Sequence, residues 1–269
     1  LALASLACGF NIDMPKMLTT GLVVTDENVI PVPDTDEVSL KLSFGAGDMT
    51  LAPGAKEFVE GTATYNYDAF KPEVVVDGGD AQIKMSKVDS LPSFNDLKNE
   101  WDLKLGDTPM DLTIESGAYN GTFELGGLSL NNLTVQDGAA NVELTFSEPN
   151  LVEMSTFRYE TGASDVKMTG LANANFSLFD FSSGAGDYTL DFSGELQRDA
   201  SVTVSSGLSN IILVIPEGVN AVVTIDSGAS NVSVGSEWSQ SGDIYKQKGE
   251  GPTLTIVINI GAGNITLTK

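Results

Sequence analysis

Carboxylates are the side chains of this sequence with the most obvious capacity for chemistry. The 269 residues include 37 Asp and Glu, 14 Lys and Arg, one Cys and no His. The lack of His excludes Ser-His-Asp and Cys-His catalysis and removes the usual zinc ligands. Two pairs, Asp187 with Asp191 and Glu57 with Glu60, are candidates for glycoside hydrolysis, which uses two carboxyl groups. In so acidic a chain, such pairs also arise by chance.

Calcium binding is the second chemistry that these acids suggest, because carboxylate oxygens are calcium ligands. Asp48, Asp165 and Asp187 each end a Gly-Ala-x-Asp phrase. Calcium-binding β-rolls, however, need a short tandem repeat of Gly and Asp, and the repeat here is much longer. We therefore favour a structural role for these residues at chain corners, and we expect no metal and no cofactor.

Stacking of aromatic rings on a sugar, or in the groove of a partner, is the third candidate chemistry. Tyr65, Tyr67, Phe70 and Trp101 lie in a segment rich in aromatic residues, and Trp238 lies in a polar Gly/Ser loop. These five residues form the predicted recognition surface. The alternative is that most of these rings cover the exposed ends of a repeat structure, as capping segments must.

The amino terminus and the net charge limit where the chain resides and what it binds. Residues 1–7 are small and aliphatic, and they end at Cys8, which resembles the end of a bacterial lipoprotein signal. We therefore expect residues 1–8 to be a signal-peptide remnant with a lipid on Cys8, and residues 9–37, rich in Pro and acids at their end, to be an extended linker. The net charge of −23 predicts no nucleic-acid binding, because phosphate backbones would be repelled.

An internal sequence repeat predicts the strands that position the acidic and aromatic residues named above. The phrase Gly-Ala-x-Asn/Asp, with Leu replacing Ala in one copy, begins at Gly45, Gly117, Gly138, Gly162, Gly184, Gly207, Gly228 and Gly261. From Gly117 to Gly228 the steps are 21, 24, 22, 23 and 21 residues. The residues five before, three before and six after each Gly are apolar or aromatic in all eight copies. Since residues two apart face one side of a strand, each copy predicts a strand, a corner and a second strand.

The repeat predicts the fold class, because a unit of about 22 residues cannot bury its apolar face alone and must stack on its neighbours. We expect an all-β, right-handed β-helix-like solenoid over residues 38–269, one elongated domain of about 45 Å. Gly is expected to supply a positive φ at each corner. Residues 52–111 and 235–252 interrupt the spacing and are predicted to be inserted or capping segments, and Gly79 marks a degenerate ninth copy. A β-sandwich is the alternative.

The last repeat ends at the strand Ile265-Thr266-Leu267, two residues before the end of the sequence. As the final layer of a solenoid, this strand would leave its backbone groups open. Either residues 235–252 fold over it, or it pairs with another copy of the chain. An end-to-end homodimer is therefore a hypothesis.

Several ordered phrases resemble the toast-rack family of bacterial envelope proteins. They are residues 40–47 (LKLSFGAG), 101–106 (WDLKLG), 146–150 (FSEPN) and 184–194 (GAGDYTLDFSG), which follow an acidic, Pro-rich stretch. A broader similarity extends to the β-solenoid domains of LiaF-type envelope-stress proteins and of bacterial adhesins. The resemblance covers nearly all of residues 35–269. It implies a β-solenoid located outside the cytoplasm, and it supplies no catalytic residues.

These observations favour a non-enzymatic scaffold or binding module, anchored by lipid at the cell surface or in the envelope, with a role in adhesion or in sensing envelope stress. Loops from residues 52–111 and 235–252 would contact an envelope protein or a glycan. Two alternatives remain. One is a polysaccharide lyase or hydrolase that uses carboxylates on a solenoid face, and the other is a regulatory partner of a membrane sensor kinase.

Overall fold

The computed structural model describes residues 20–86 and 97–269, and almost every element in these ranges is a strand. Short 3-10 turns occur at Asp68–Phe70 and Leu171–Ala174. The strands are β1 (Val24–Ile30), β2 (Ser39–Pro53), β3 (Val59–Tyr65), β4 (Pro72–Asp77), β5 (Asp80–Met85), β6 (Asn99–Leu105), β7 (Met110–Glu124), β8 (Leu130–Thr145), β9 (Met154–Thr169), β10 (Phe176–Asp191), β11 (Ala200–Val214), β12 (Val219–Val234), β13 (Ser239–Ser241), β14 (Ile244–Gln247) and β15 (Glu250–Thr268).

Eight long strands, each with one copy of the Gly-Ala repeat, stack in parallel and in register, which confirms the predicted solenoid-like architecture. Their order is β2, β7, β8, β9, β10, β11, β15 and β12. Ala46 pairs with Ala118, and Ala118 pairs with Ala139. The corners therefore lie in a single row along one edge of the stack.

Each long strand consists of two arms that meet at the corner and face the same core. In β7, Leu112 and Ile114 are buried before the corner, and Phe123 is buried after it, so the alternation changes phase at Gly117. Of the 24 apolar flanking positions identified in the sequence, 23 are buried, and only Val234 is partly exposed. Rings stack between layers inside the core, with the centroids of Phe157 and Phe179 4.4 Å apart.

The corner glycines are required for close packing between layers and not for a positive φ, so that expectation is wrong. None of the eight has a φ in the left-handed region. An ideal Cβ on Gly162 would instead lie 2.5 Å from the carbonyl oxygen of Gly138 in the next layer. The same contact, at 2.5 to 2.9 Å, recurs at each corner glycine from Gly117 onward. Any side chain at this position would force neighbouring layers apart.

The carboxyl-terminal strand is not the last layer of the stack. β15 lies between β11 and β12, pairing with both in parallel, so Ile265 and Leu267 are fully buried. β12 therefore forms the end of the stack. Within residues 235–252, β14 pairs antiparallel with Ala221–Thr224 of β12, and β13 pairs with β14. Residues 235–252 therefore cover the last layer of the stack, but only along the first arm of β12.

At the other end of the stack, residues 52–111 build additional partial layers. β5 and then β4 extend the first-arm side of β2, whereas β6 and β3 extend the second-arm side. The last strand on that side is β1, which pairs with β3 although it lies in the predicted linker. Gly79 belongs to the turn of the β4–β5 hairpin, so the ninth copy is not a layer. Cys8 lies outside the described residues.

Candidate functional site

Four of the five aromatic residues predicted as a recognition surface are core residues. Tyr65, Phe70, Trp101 and Trp238 are between 1% and 8% exposed. Tyr67 is half-buried, and its ring packs edge-on against Phe70. The prediction of an exposed aromatic surface is therefore wrong, because these rings cover the two ends of the core from inside. No aromatic side chain in residues 20–86 and 97–269 is classed as exposed.

Tyr65 shows how such a ring is held. Its hydroxyl donates a hydrogen bond to Oδ2 of Asp26, at 2.8 Å, which connects β3 to the outermost strand β1. Burial, reinforced by the hydrogen bond to Asp26 and the negative charge of that carboxylate, raises the pKa of Tyr65 to about 12. The neutral phenol thus has a structural role in attaching β1.

Neither pair of candidate catalytic carboxylates has suitable geometry. Asp187 and Asp191 lie four residues apart on one arm of β10, about 13 Å along an extended strand. Glycosidase carboxylates are roughly 5 to 9.5 Å apart. Oε1 of Glu60 accepts a hydrogen bond from the backbone N–H of Glu57, so this pair closes a local turn. The structure therefore brings neither pair together as an acid and a nucleophile.

The Asn and Asp residues of the repeat form one continuous exposed row. In stack order it contains Asp48, Asn120, Asn141, Asp165, Asp187, Asn210, Asn264 and Asn231, which register as neighbours in successive layers and are all exposed. We call these eight residues the Asx row. At about 4.8 Å between strands, the row extends over roughly 34 Å.

Side-chain amides link neighbouring layers of the Asx row toward both of its ends. Nδ2 of Asn120 donates to Oδ1 of Asp48 at 2.7 Å, and Nδ2 of Asn210 donates to Oδ1 of Asp187 at 2.6 Å. Two of the three aspartates considered as calcium ligands therefore already accept an amide. In the described part of the chain, no group of three or more His, Cys, Asp or Glu side chains could hold a metal ion.

The outer surface beside the Asx row is also polar. The position two residues after each Asx residue is Thr in four layers, Thr50, Thr122, Thr189 and Thr266. We call the Asx row together with these four threonines the Asx face. Side chains two apart on a strand point the same way, so these hydroxyl groups lie on the same side of the sheet as the amides and carboxylates of the Asx row. The other four layers carry Glu143, Lys167, Ile212 and Ser233 at this position. The Asx face can offer hydrogen bonds to a ligand, but no ring for stacking.

A buried polar cluster centred on Asp137 supports the inner side of the corner. The Tyr159 hydroxyl donates to Oδ2 of Asp137 at 2.7 Å, and the Ser164 hydroxyl donates to Oδ1 at 3.3 Å. Burial raises the pKa of Tyr159 well above its usual value, and burial likewise raises that of Tyr119, which also reaches Asp137. The repeat pattern does not predict this cluster. Its one signal in the sequence is that Asp137 is the only acid immediately before one of the eight corner glycines.

Comparison with solved structures shows that this fold is known. A candidate cell adhesion protein from Clostridium sporogenes superposes with a TM-score of 0.51 at 18% sequence identity, covering 92% of this chain and 99% of that one. A candidate adhesin from Bacteroides fragilis gives a TM-score of 0.40 at 11% identity, covering 91% of this chain and 97% of that one. These likenesses concern the fold.

Other comparisons bear on membrane segments and on family. Among residues 20–86 and 97–269 there is no helix of the length and hydropathy needed to cross a membrane. No curated protein matches the sequence. The model of the N-terminal domain of toast_rack, DUF2154, matches residues 19–154, which is half of the chain. The resemblance seen in the sequence is thereby confirmed, and the chain belongs to the toast-rack family.

Proposed function

We propose that this chain is a non-enzymatic binding module of the bacterial surface, held to the membrane by a lipid on Cys8, and that it functions in adhesion. The observation that carries the proposal is the Asx face, whose Asx row is exposed and continues in register through eight layers. A continuous hydrogen-bonded stack is stiff, and a stiff scaffold can hold such rows at fixed spacing. The similarity in fold to candidate adhesion proteins supports the same role.

The chemistry of the Asx face favours a hydroxyl-rich glycan as its ligand. Amides and carboxylates form hydrogen bonds with hydroxyl groups, and a row whose residues are spaced by about 4.8 Å offers the same bonds repeatedly to a polymer. The net charge of −23 opposes binding to anionic polymers, so a neutral or basic glycan fits better. The absence of exposed rings in the described residues implies weak individual contacts, which repetition would strengthen.

Binding of neutral envelope polysaccharide to immobilised protein tests this ligand. The double variant Asn141→Ala with Thr122→Ala removes one polar group of the Asx face from each of two neighbouring layers, and we expect at least a several-fold loss of binding. The matched control is Thr113→Ala with Thr134→Ala, in the same two layers but on the first arm. Equal binding of the polysaccharide by both variants would reject the Asx face as the glycan site. If the protein binds an envelope protein and does not bind the polysaccharide, the glycan is rejected as its ligand.

The proposed anchor is tested separately in cells that express the precursor. A lipid on Cys8 predicts incorporation of labelled fatty acid and recovery of the protein in the membrane fraction. Cys8→Ser should abolish both, while leaving the described domain folded. Membrane recovery that is unaffected by Cys8→Ser would contradict the anchor.

A further inference from the structure

The second arm of β12 has an open edge. β15 pairs with one side of β12 along its whole length. On the other side, β14 pairs only with Ala221–Thr224 of the first arm. Within the described residues, no strand pairs with the outer side of residues 228–234. Their backbone groups on that side are available to another strand.

The hydrophobic core is also incompletely covered at this edge. Val232 and Val234 point toward the core but are partly exposed, whereas the equivalent residues are buried in each of the other seven long strands. At the opposite end of the stack, β6, β3 and β1 cover the second arm of β2. The open edge is therefore a specific property of the β12 end.

The other terminal strands have features that discourage pairing with another chain. β1 places Asp26 and Glu27 on its edge, and β13 is only three residues long. β4 has three exposed valines, Val74, Val75 and Val76, but Pro72, Glu73 and Asp77 flank them. Charges, proline and short length are the usual means of protecting an edge strand. Residues 227–234 (SGASNVSV) contain no charge and no proline. In a chain with a net charge of −23, this neutral edge is where two copies could approach most closely.

The Asx row also ends at this edge with a free acceptor. Nδ2 of Asn231 donates to Oδ1 of Asn264 at 3.2 Å, and Nδ2 of Asn264 donates to Oδ1 of Asn210. The amide of each layer thus points back into the stack. Among the residues that the structure describes, no following layer donates a hydrogen bond to Oδ1 of Asn231.

We propose that this edge pairs with the same edge of a second copy, in an antiparallel two-fold arrangement centred on Val232. This register places Val232 opposite the partner's Val232 and Val234 opposite the partner's Ser230. Opposed residues of an antiparallel pair face the same side, so both valines stay on the core side. The acids nearest to the edge, Asp226 and Glu237, lie outside the paired segment of residues 230–234. The pairing is isologous and closed, so it stops at a dimer.

The open edge of β12 lies at the opposite end of the stack from the proposed lipid anchor, which would allow the dimer to connect two surfaces. The path from β1 to β12 contains ten interstrand steps, so the two ends of the stack are about 48 Å apart. The described chain begins beside β3, where the N–H of Gly21 donates to the carbonyl of Asn66. If Cys8 holds that end at a membrane, as proposed above, the open edge faces away from the membrane. A two-fold pair would then connect copies on two facing surfaces.

Oligomeric state in solution tests the pairing itself. The full chain, kept reduced so that Cys8 cannot form a disulfide, is measured by sedimentation equilibrium from about 5 to 500 µM, since small interfaces are weak. We expect the mass to rise from 28.3 kDa toward twice that value, with a greater dimer fraction at higher salt because repulsion is screened. A mass that stays at that of a single chain at every concentration and salt would overturn the proposal.

A pair of variants identifies the surface used. Ser233→Lys puts a charge on the exposed side of the open edge and should leave the chain monomeric. Ile212→Lys adds the same positive charge at the equivalent exposed position of β11, where both sides are already paired, and should dimerise like the parent. Equal association by the two variants would place the contact elsewhere and overturn the proposal.

Vesicle clustering tests the arrangement across two surfaces. The chain is coupled through the thiol of Cys8 to vesicles that carry a maleimide lipid, so the result does not depend on natural lipidation. We expect turbidity to rise with the parent and with Ile212→Lys, but not with Ser233→Lys. Dimerisation in solution without clustering would overturn the trans arrangement, whereas failure of lipidation in cells would affect only the proposed anchor.

Discussion

The close approach of successive corners can be tested by adding one methyl group. Gly162→Ala places a Cβ 2.5 Å from the carbonyl oxygen of Gly138, where an ordinary contact begins at 3.4 Å. Gly45→Ala is the matched control at the same place in the first long strand. Its Cβ would meet only the end of the flexible Met85 side chain, with Cε at 3.3 Å and Sδ at 3.8 Å. Neither glycine has a φ that alanine would avoid.

The magnitudes follow from this difference. Two layers must separate by about 0.9 Å at Gly162, and overpacking of this kind costs about 1 to 3 kcal/mol. For a domain of this size, each kcal/mol lowers Tm by roughly 2 to 4 °C, so we expect a loss of about 2 to 12 °C. Met85 can move, so Gly45→Ala should change stability by less than about 0.5 kcal/mol.

Thermal and urea unfolding, followed by circular dichroism, measure both variants. The expected result is a clear loss for Gly162→Ala and almost none for Gly45→Ala. Equal stability of the two variants would refute the claim that interlayer contact, and not local backbone conformation, requires glycine at the corners. A larger loss at Gly45 would refute it also.

Three further predictions concern the core. Asp137→Ala leaves the buried Tyr159 hydroxyl without its acceptor, so urea unfolding should show a loss of about 1 to 3 kcal/mol. Asp165→Ala, on the exposed Asx row, is the control and should cost much less. Similar losses for the two variants would argue against a stabilising role for the Asp137 cluster. The raised pKa of Tyr65, about 12, means that its contribution to stability is complete below pH of about 10 and is lost as pH rises toward 12. As pH rises from about 10 to 12, the free energy of unfolding should therefore fall less steeply for Tyr65→Phe than for the parent protein. Equal slopes for the two proteins would contradict the raised pKa of Tyr65. Phe157→Ala removes a ring from the stacked core and should cost about 3 to 5 kcal/mol, and a loss below about 1 kcal/mol would show that the ring is not packed as described.

The repeat was predictable because its signal is local and periodic. Apolar residues at fixed distances from each Gly specify both arms of a layer, and almost all of these positions are buried. The order of the last layers could not be predicted in this way. Copies at Gly207, Gly228 and Gly261 have similar flanks, so any of their strands can neighbour the others. Placement of β15 between β11 and β12 depends on long-range packing.

The candidate site was harder to predict than the fold. Tyr65, Trp101 and Trp238 lie outside the regular repeat, and sequence alone does not separate a ring that covers a core from a ring that binds a ligand. The corner glycines were correctly located but wrongly explained, since close approach and positive φ both select glycine. The Asx row was seen as separate corner residues, and only the register of the strands shows that it forms one surface.

Distances between spin labels on one column of the stack test the order of the layers most directly. Thr113, Thr203 and Thr224 belong to the same outward column, through registered neighbours in every layer between them. In a Cys8→Ser background, labels at Thr113 and Thr203 should be four layers apart, about 19 Å. Labels at Thr113 and Thr224 should be six layers apart, about 29 Å, because β15 intervenes. A second distance only one layer longer than the first, or shorter than it, would contradict the stacked, in-register arrangement with β15 inserted.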